Sequence, residues 1–319
     1  MKTIDLRSRI AVALGLLLAC CSAPGQTSTA QEPLASFKTA VNLVLIDASV
    51  RDRNNRLMSG LKREDFEVLE DGKPQPLRYA SENELPLAVA LVVDTSGSMR
   101  FTFNRLRDAA INALGALKPQ DRVAVFAFTR RTQQLTELTT DHREIERALG
   151  QLHARGGTNI LEALYAASIF LKRAAPQDRR AIILVSDNIA PKHAKHGEHE
   201  VEETALEFET DIHSIEVRNR TFGILARLAN PVFRLNVKQI AEATGGEVLK
   251  TDAEDVGNAL TLTLERLRKR YTLGYYPAKD AEHQPGSYHK LEVRLAKQHG
   301  APRSDYYIAA RRGYFTPKE

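Results

Sequence analysis

The sequence predicts an α/β protein: a doubly wound, Rossmann-like domain with a largely parallel sheet, flanked by a small β module built from N- and C-terminal segments. Three observations carry that prediction. Leu87–Val93 (LAVALVV), Val123–Thr129 (VAVFAFT) and Ala181–Ser186 (AIILVS) are unbroken apolar runs, the pattern of strands covered on both faces. Between them lie stretches whose apolar residues recur at helical spacing. Outside this middle region the chain alternates with period two and carries turn signals, as half-buried antiparallel strands do.

Taken in order, Val44, Ile46, Ala48 and Val50 alternate along a first strand, and a turn follows at 51–55. Asp71-Gly72 marks a hairpin, and Pro74 and Pro76 confine its second arm to a sheet edge. After the strand at 87–93, Phe103, Leu106, Ala110, Ala113, Leu114 and Leu117 share one helical face, which Pro119 ends. Residues 133–138 form a possible strand, and helices are expected at about 142–152 and after Gly156-Gly157. A polar helix at about 198–209 leads to a strand at Ile212–Val217. A short helix at Val237–Ala243 is stopped by Gly245-Gly246, and Glu247–Lys250 forms a last strand of the domain. The helix at 253–270 ends in Arg266, Arg268, Lys269 and Arg270, suitably placed for the helix dipole. Three tyrosine-rich β segments follow, YTLGYYP, SYHKLEVRLA and DYYIAARRGYF. Neither β flank has enough strands alone, so the two should pair with each other. The expected boundaries are 37–84 for the N-terminal β segment, 85–270 for a self-contained α/β domain and 271–319 for the C-terminal β segment.

The first residues read as an address. Met1–Arg9 is basic, and Ile10–Ala19 is an apolar run too short to span a bilayer but suited to a signal peptide. Leu17-Leu18-Ala19-Cys20 resembles a bacterial lipobox, with Cys20 as the lipidated first residue after a signal peptide at 1–19. Residues 20–36 then form a flexible tether. The expected location is the cell envelope, periplasmic or at the outer surface, with a lipid anchor as the only membrane attachment; otherwise the protein is secreted. The two cysteines are adjacent, so no disulfide framework exists. Net charge is +5, and about +3 without the leader, too weak and scattered to argue for nucleic acid.

Chemistry concentrates after the strand at 87–93. Asp94, Ser96 and Ser98 place one carboxylate and two hydroxyls on a tight turn at the carboxyl edge of the sheet, with Gly97 expected to let the backbone fold back. These are hard oxygen donors, suited to Mg²⁺, Mn²⁺ or Ca²⁺, although Asp94 as a helix cap is the plain alternative. Thr158 offers a further hydroxyl, or an N-cap, and Asp187 a second carboxylate, or a turn residue.

This set, Asp94, Ser96, Ser98, Thr158 and Asp187, resembles the metal-ion-dependent adhesion site of von Willebrand factor type A domains, and no member is missing. The segments LKREDFEVLEDGKPQ (61–75), QIAEATGGEVL (239–249), YTLGYYP (271–277) and RRGYF (311–315) are similar to a secreted bacterial branch of that family. The resemblance implies a divalent cation, most simply Mg²⁺, and a partner protein whose exposed Asp or Glu completes the metal's coordination. It implies an adhesion or scaffold module and not an enzyme.

Two other readings compete. A Mg-dependent, phosphatase-like hydrolase could use Asp94 as nucleophile, but Ser96 stands where that chemistry wants a second aspartate. A structural envelope scaffold could carry a vestigial metal site. Around the sheet edge, the 218–236 loop holds Arg218, Arg220, Phe222, Arg227, Phe233 and Arg234 and no acid, which makes it a candidate basic, partly apolar rim for the partner. His193, His196 and His199 have spacing that could gather a softer metal, against the plain reading of a solvated loop.

Overall fold

The computed structural model describes residues 43–82, 85–100, 102–115, 117–190, 194–218, 235–277, 284–296 and 305–317. The leader, Cys20 and the tether lie outside them. Among the described residues no helix is long and apolar enough to cross a membrane.

The central sheet has six strands. These are β5 (Leu87–Asp94), β6 (Arg122–Phe128), β7 (Thr132–Gln134), β8 (Arg179–Ser186), β9 (Thr210–Arg218) and β10 (Val248–Asp252), in the order β10-β9-β8-β5-β6-β7. All pairings are parallel except β6 with the short edge strand β7. The unbroken apolar run of β5 has a direct cause: its alternate residues feed two separate cores. Val89, Leu91 and Val93 pack under α1 (Phe103–Leu114), α2 (His142–Gly150) and α6 (Val256–Arg268). Ala88, Ala90 and Val92 face the opposite layer of α3 (Ile160–Ala174), α4 (Glu198–Glu207) and α5 (Val237–Thr244). The chain runs from β5 to β6 on one side and later returns to place β8 on the other. The winding direction therefore reverses at β5, the position where open α/β sheets form a crevice at their carboxyl edge.

The flanks form two four-stranded antiparallel sheets around a shared core. One has the order β13-β1-β11-β4, from β1 (Val44–Asp52), β4 (Leu77–Glu82), β11 (Tyr271–Tyr275) and β13 (Tyr306–Ala310). The other has the order β14-β12-β2-β3, from β2 (Phe66–Glu70), β3 (Lys73–Gln75), β12 (Tyr288–Leu295) and β14 (Gly313–Phe315). Each sheet takes two strands from either end of the chain. Ile46, Val50, Val68, Leu273, Tyr275 and Leu291 fill the space between them. The β2–β3 hairpin turns on Asp71 (φ 48°) and Gly72 (φ 80°), both left-handed as a type I′ turn requires. Pro74 sits on β3, an edge strand that tolerates its missing N–H.

A buried ionic seam joins the α/β layers to the β module, and here the structure departs from expectation. The arginines closing α6 are not solvated. Arg266, Arg268 and Arg270 are buried, with Arg270 only 1% exposed. Arg266 pairs with Glu247 at 2.7 Å, Arg268 with Asp121 at 3.0 Å and Arg270 with Asp211. Arg270 also donates to the carbonyls of Gly245 (2.7 Å) and Ala309 (3.2 Å). The helix ends against protein rather than water, so Arg266 and Arg268, in its last turn as expected, act as clamps as well. Two further pairs cross the expected boundary near residue 85: Arg179 with Asp47 at 2.9 Å, and Arg51 with Glu247. The 85–270 segment thus shares buried charges with its flanks. Burial alone would push Asp47 up, but Arg179, Arg270 and the Thr272 hydroxyl outweigh it and hold the carboxyl below its usual range. Burial pushes Asp211 up to about 6 in spite of Arg270.

Candidate metal centre

The end of β5 is fixed by hydrogen bonds that follow from its sequence. Thr95 donates its backbone N–H and its hydroxyl to the Phe128 carbonyl, each at 2.9 Å, which ties the residue after Asp94 to the end of β6. Residues 97–99 form a single 3₁₀ turn with Ser96 at its head. Gly97 has an ordinary φ and open space around it, so the turn does not depend on glycine there. Asp94 is fully buried. Its Oδ1 accepts the Ser96 N–H at 2.8 Å, and its Oδ2 accepts the Ser186 hydroxyl at 2.7 Å.

Four of the five sequence-derived residues come together. Ser96 Oγ and Ser98 Oγ are 2.9 Å apart, and the Ser98 hydroxyl hydrogen-bonds to Asp187. Asp187 Oδ1 also accepts the Ile189 N–H at 3.1 Å. Thr158 stands immediately before α3, half-buried, and among the described residues no hydrogen bond joins it to the other four. It is not the helix cap: Asn159 takes that place, its side chain accepting from the Glu162 N–H. The Thr158 loop is nevertheless anchored to the site, because the Arg155 N–H donates to the Thr95 carbonyl at 2.7 Å.

The electrostatics of the pair are one-sided. Burial pushes Asp94 up to about 6, and the Asp187 charge adds to that rise against the Ser186 and Ser96 hydrogen bonds. Burial also raises Asp187, and the charge of Glu216, another acid, adds to that rise. Among the described residues neither carboxylate has an ion-pair partner. Two desolvated carboxylates with hydroxyl oxygens between them form an oxygen-only donor set, which suits a hard dication and not a thiolate- or imidazole-loving metal. Among the described residues no three His, Cys, Asp or Glu side chains converge.

A family model described as von Willebrand factor type A domain matches residues 89–189. The chain carries a von Willebrand factor type A domain. Over 94 residues it is 34% identical to inter-alpha-trypsin inhibitor heavy chain H4 of Sus scrofa, a stretch covering 28% of this chain and 10% of that protein. This chain therefore matches only a tenth of that relative's length. Among solved structures it is similar to the von Willebrand factor type A protein from Catenulispora acidiphila, with TM-score 0.50, 12% identity, and 80% of this chain and 75% of that chain covered. It is also similar to the conserved hypothetical protein BatB from Bacteroides thetaiotaomicron, with TM-score 0.44, 18% identity, and 57% of this chain and 98% of that chain covered. The family is known for metal-dependent protein binding through a divalent cation.

Sequence reasoning missed several residues at this edge of the type A domain. Ser186 braces Asp94 and in turn accepts the Asn188 N–H at 3.1 Å. Asn188 takes a left-handed φ of 55°, which asparagine tolerates, and its side chain reaches Ser214 at 3.2 Å. A hydroxyl closing an otherwise apolar strand was the signal for Ser186.

The histidine expectation needs correction. His193 lies outside the described residues, and His196 is not in a solvated loop. It is buried, stacks on Tyr165 at 3.7 Å between centroids, and binds Glu162 through Nδ1 at 2.9 Å. His199 lies on α4. Of the expected rim, Arg220, Phe222, Arg227, Phe233 and Arg234 lie outside the described residues. Arg218 closes β9 and pairs with Asp252 at 3.1 Å.

Proposed function

We propose that this type A domain holds a divalent cation between Asp94, Ser96, Ser98, Thr158 and Asp187, and that through it the protein captures an exposed Asp or Glu of a partner protein. The observation that carries the reading is the pair of buried carboxylates, Asp94 and Asp187, with hydroxyls between them and no ion-pair partner among the described residues. A bound dication would supply the missing positive charge, and Mg²⁺ fits the oxygen set most simply. In this reading Asp94 fixes the site's charge, while Ser186 and the Ser96 N–H hold its two oxygens in place. Ser96 and Ser98 supply hydroxyl oxygens, and Asp187 supplies the second carboxylate. Export behind residues 1–19 and lipidation at Cys20 complete the proposal and would place the module in the cell envelope.

The test is calorimetry and thermal melting of the full chain with Mg²⁺, Mn²⁺ or Ca²⁺ against chelator. Saturable binding that raises the melting temperature, and is lost in Asp94→Ala, is the expected result. A melting temperature indifferent to all three ions overturns the reading. Labelling with a fatty-acid probe, lost in Cys20→Ser, tests the anchor separately.

A further inference from the structure

Three loops meet at the metal edge, and together they carry arginine without acid. Residues 95–100 contain Arg100, 129–134 contain Arg130 and Arg131, and 151–159 contain His153 and Arg155; none of the three stretches contains Asp or Glu. All four arginines are exposed. Backbone ties hold the loops beside the candidate site. The Thr95 N–H and hydroxyl grip Phe128, just ahead of Arg130 and Arg131. The Thr129 N–H donates to the Arg131 carbonyl at 3.0 Å and closes the turn that presents both arginines. The Arg155 N–H is held by the Thr95 carbonyl, next to Asp94.

Arg130 is placed most closely. A Cβ on Gly157 would lie 3.0 Å from its Cγ and its Nε, so its side chain lies along Gly157, one residue before Thr158. Among the described residues neither Arg130, Arg131 nor Arg155 has an ion-pair partner. The other salt-bridged arginines of this protein show that its sequence supplies acids where it wants arginine neutralised, as at Asp121, Asp211 and Glu247. Here it supplies none.

We propose that these arginines form the rim that selects the partner: an acidic protein segment, in which one carboxylate reaches the metal and neighbouring Asp or Glu side chains engage Arg130, Arg131 and Arg155. This rests on the metal-dependent reading and adds the class of partner and the residues that choose it. It places Arg130 and Arg131 on the β6 side of the site, across β5 from β8. Guanidinium forks match carboxylates bidentately, and several together raise the rate of encounter at low salt.

The experiment compares two synthetic peptides on the full chain in Mg²⁺. One carries a single Glu in a Gly-Ser background, the other six Glu in the same background. The six-Glu peptide is expected to bind about tenfold tighter at low salt, an advantage that shrinks at high salt. The triple variant Arg130→Gln, Arg131→Gln, Arg155→Gln is expected to lose that advantage and keep the Mg²⁺-induced rise in melting temperature. Equal affinity of wild type for the two peptides, or an undiminished preference in the triple variant, overturns the proposal. A sulfated polysaccharide that displaces the six-Glu peptide from the wild type at equal charge also overturns it, because the rim would then select polyanions and not acidic protein. A preference that needs the arginines but persists in chelator supports the rim and sinks the metal reading instead.

Discussion

The Asp94 carboxylate sits where burial favours its protonated form, and that has a consequence for stability. Its folded pKa, about 6, lies above the ordinary carboxylate value. The native state therefore binds the proton more tightly, so in chelator this group's contribution declines as pH rises from about 4 through 6. At pH 7 Asp94→Asn should stabilise the metal-free protein by about 1–2 kcal/mol, and it should abolish stabilisation by Mg²⁺. Urea melts of both proteins, with Mg²⁺ and with chelator, check the two halves; an Asn variant that is weaker in chelator would contradict the first. His213 behaves oppositely. Burial, followed by the charges of Arg270 and Arg266, drives its pKa well below the usual value. The unfolded chain gains that proton below about pH 6.5 while the native state stays neutral, so stability falls as pH drops from 6.5. His213→Leu should flatten the curve by up to about 1.4 kcal/mol per pH unit between pH 6.5 and 5.5, measured against wild type.

At the level of elements, most of what matters was readable, and the failures have physical reasons. Apolar runs and periodicity revealed the long strands of the central sheet and the helices between, because those segments owe their form to local burial pattern, whereas the polar edge strand expected at 133–138 lies at Thr132–Gln134. The Asp71-Gly72 hairpin and the glycine stop after α5 were legible because each rests on a backbone conformation that few residues adopt. What was not legible depends on the partner across space. DYYIAARRGYF reads as one strand, yet it breaks at Arg311-Arg312 and sends β13 and β14 into different sheets. RLRKR reads as a basic helix end placed for the dipole, yet its arginines also pair with buried acids. Ser186 and Arg130 belong to the site only through contacts 92 and about 27 residues away in sequence.

Gly246 shows the same limit sharply. It looks like part of a helix stop, but a Cβ there would lie 1.9 Å from the backbone carbonyl oxygen of Ile212, in β9. Gly246→Ala should cost about 3 kcal/mol or more, because backbone cannot yield as a side chain can. Gly197→Ala, where nothing lies within 4 Å of the added carbon, should change stability little. Thermal melts of the two variants compare them directly.

For the whole molecule, the ionic seam decides how far its parts are separable. A buried ion pair adds little net stability, but removing one member leaves a charge without compensation. Arg270→Met should cost about 3–5 kcal/mol by stranding Asp211, and Arg270→Met with Asp211→Leu should recover most of it. Urea melts of the single and double variants, with Asp211→Leu alone, close the cycle. A fragment spanning 85–270 would expose Arg179 and Glu247 without Asp47 and Arg51. It should melt at a lower temperature than the full chain, as calorimetry would register.

The α/β layers enter the chain between β4 and β11, two strands that are hydrogen-bonded neighbours, with Glu82 opposite Tyr271. The chain therefore leaves and re-enters the same sheet at neighbouring strands, and the candidate metal edge lies at the opposite, carboxyl ends of the central strands. Tension applied at that edge by a bound partner would travel down two parallel backbones rather than one, each bearing part of the load. It would pass into a sheet whose inner strands, β1 and β11, are paired on both sides. A pull applied along β1 and β14 would instead load the β module first and reach the α/β layers only through the ionic seam. The fold thus separates the route of a force applied through the ligand from that of one applied along the chain.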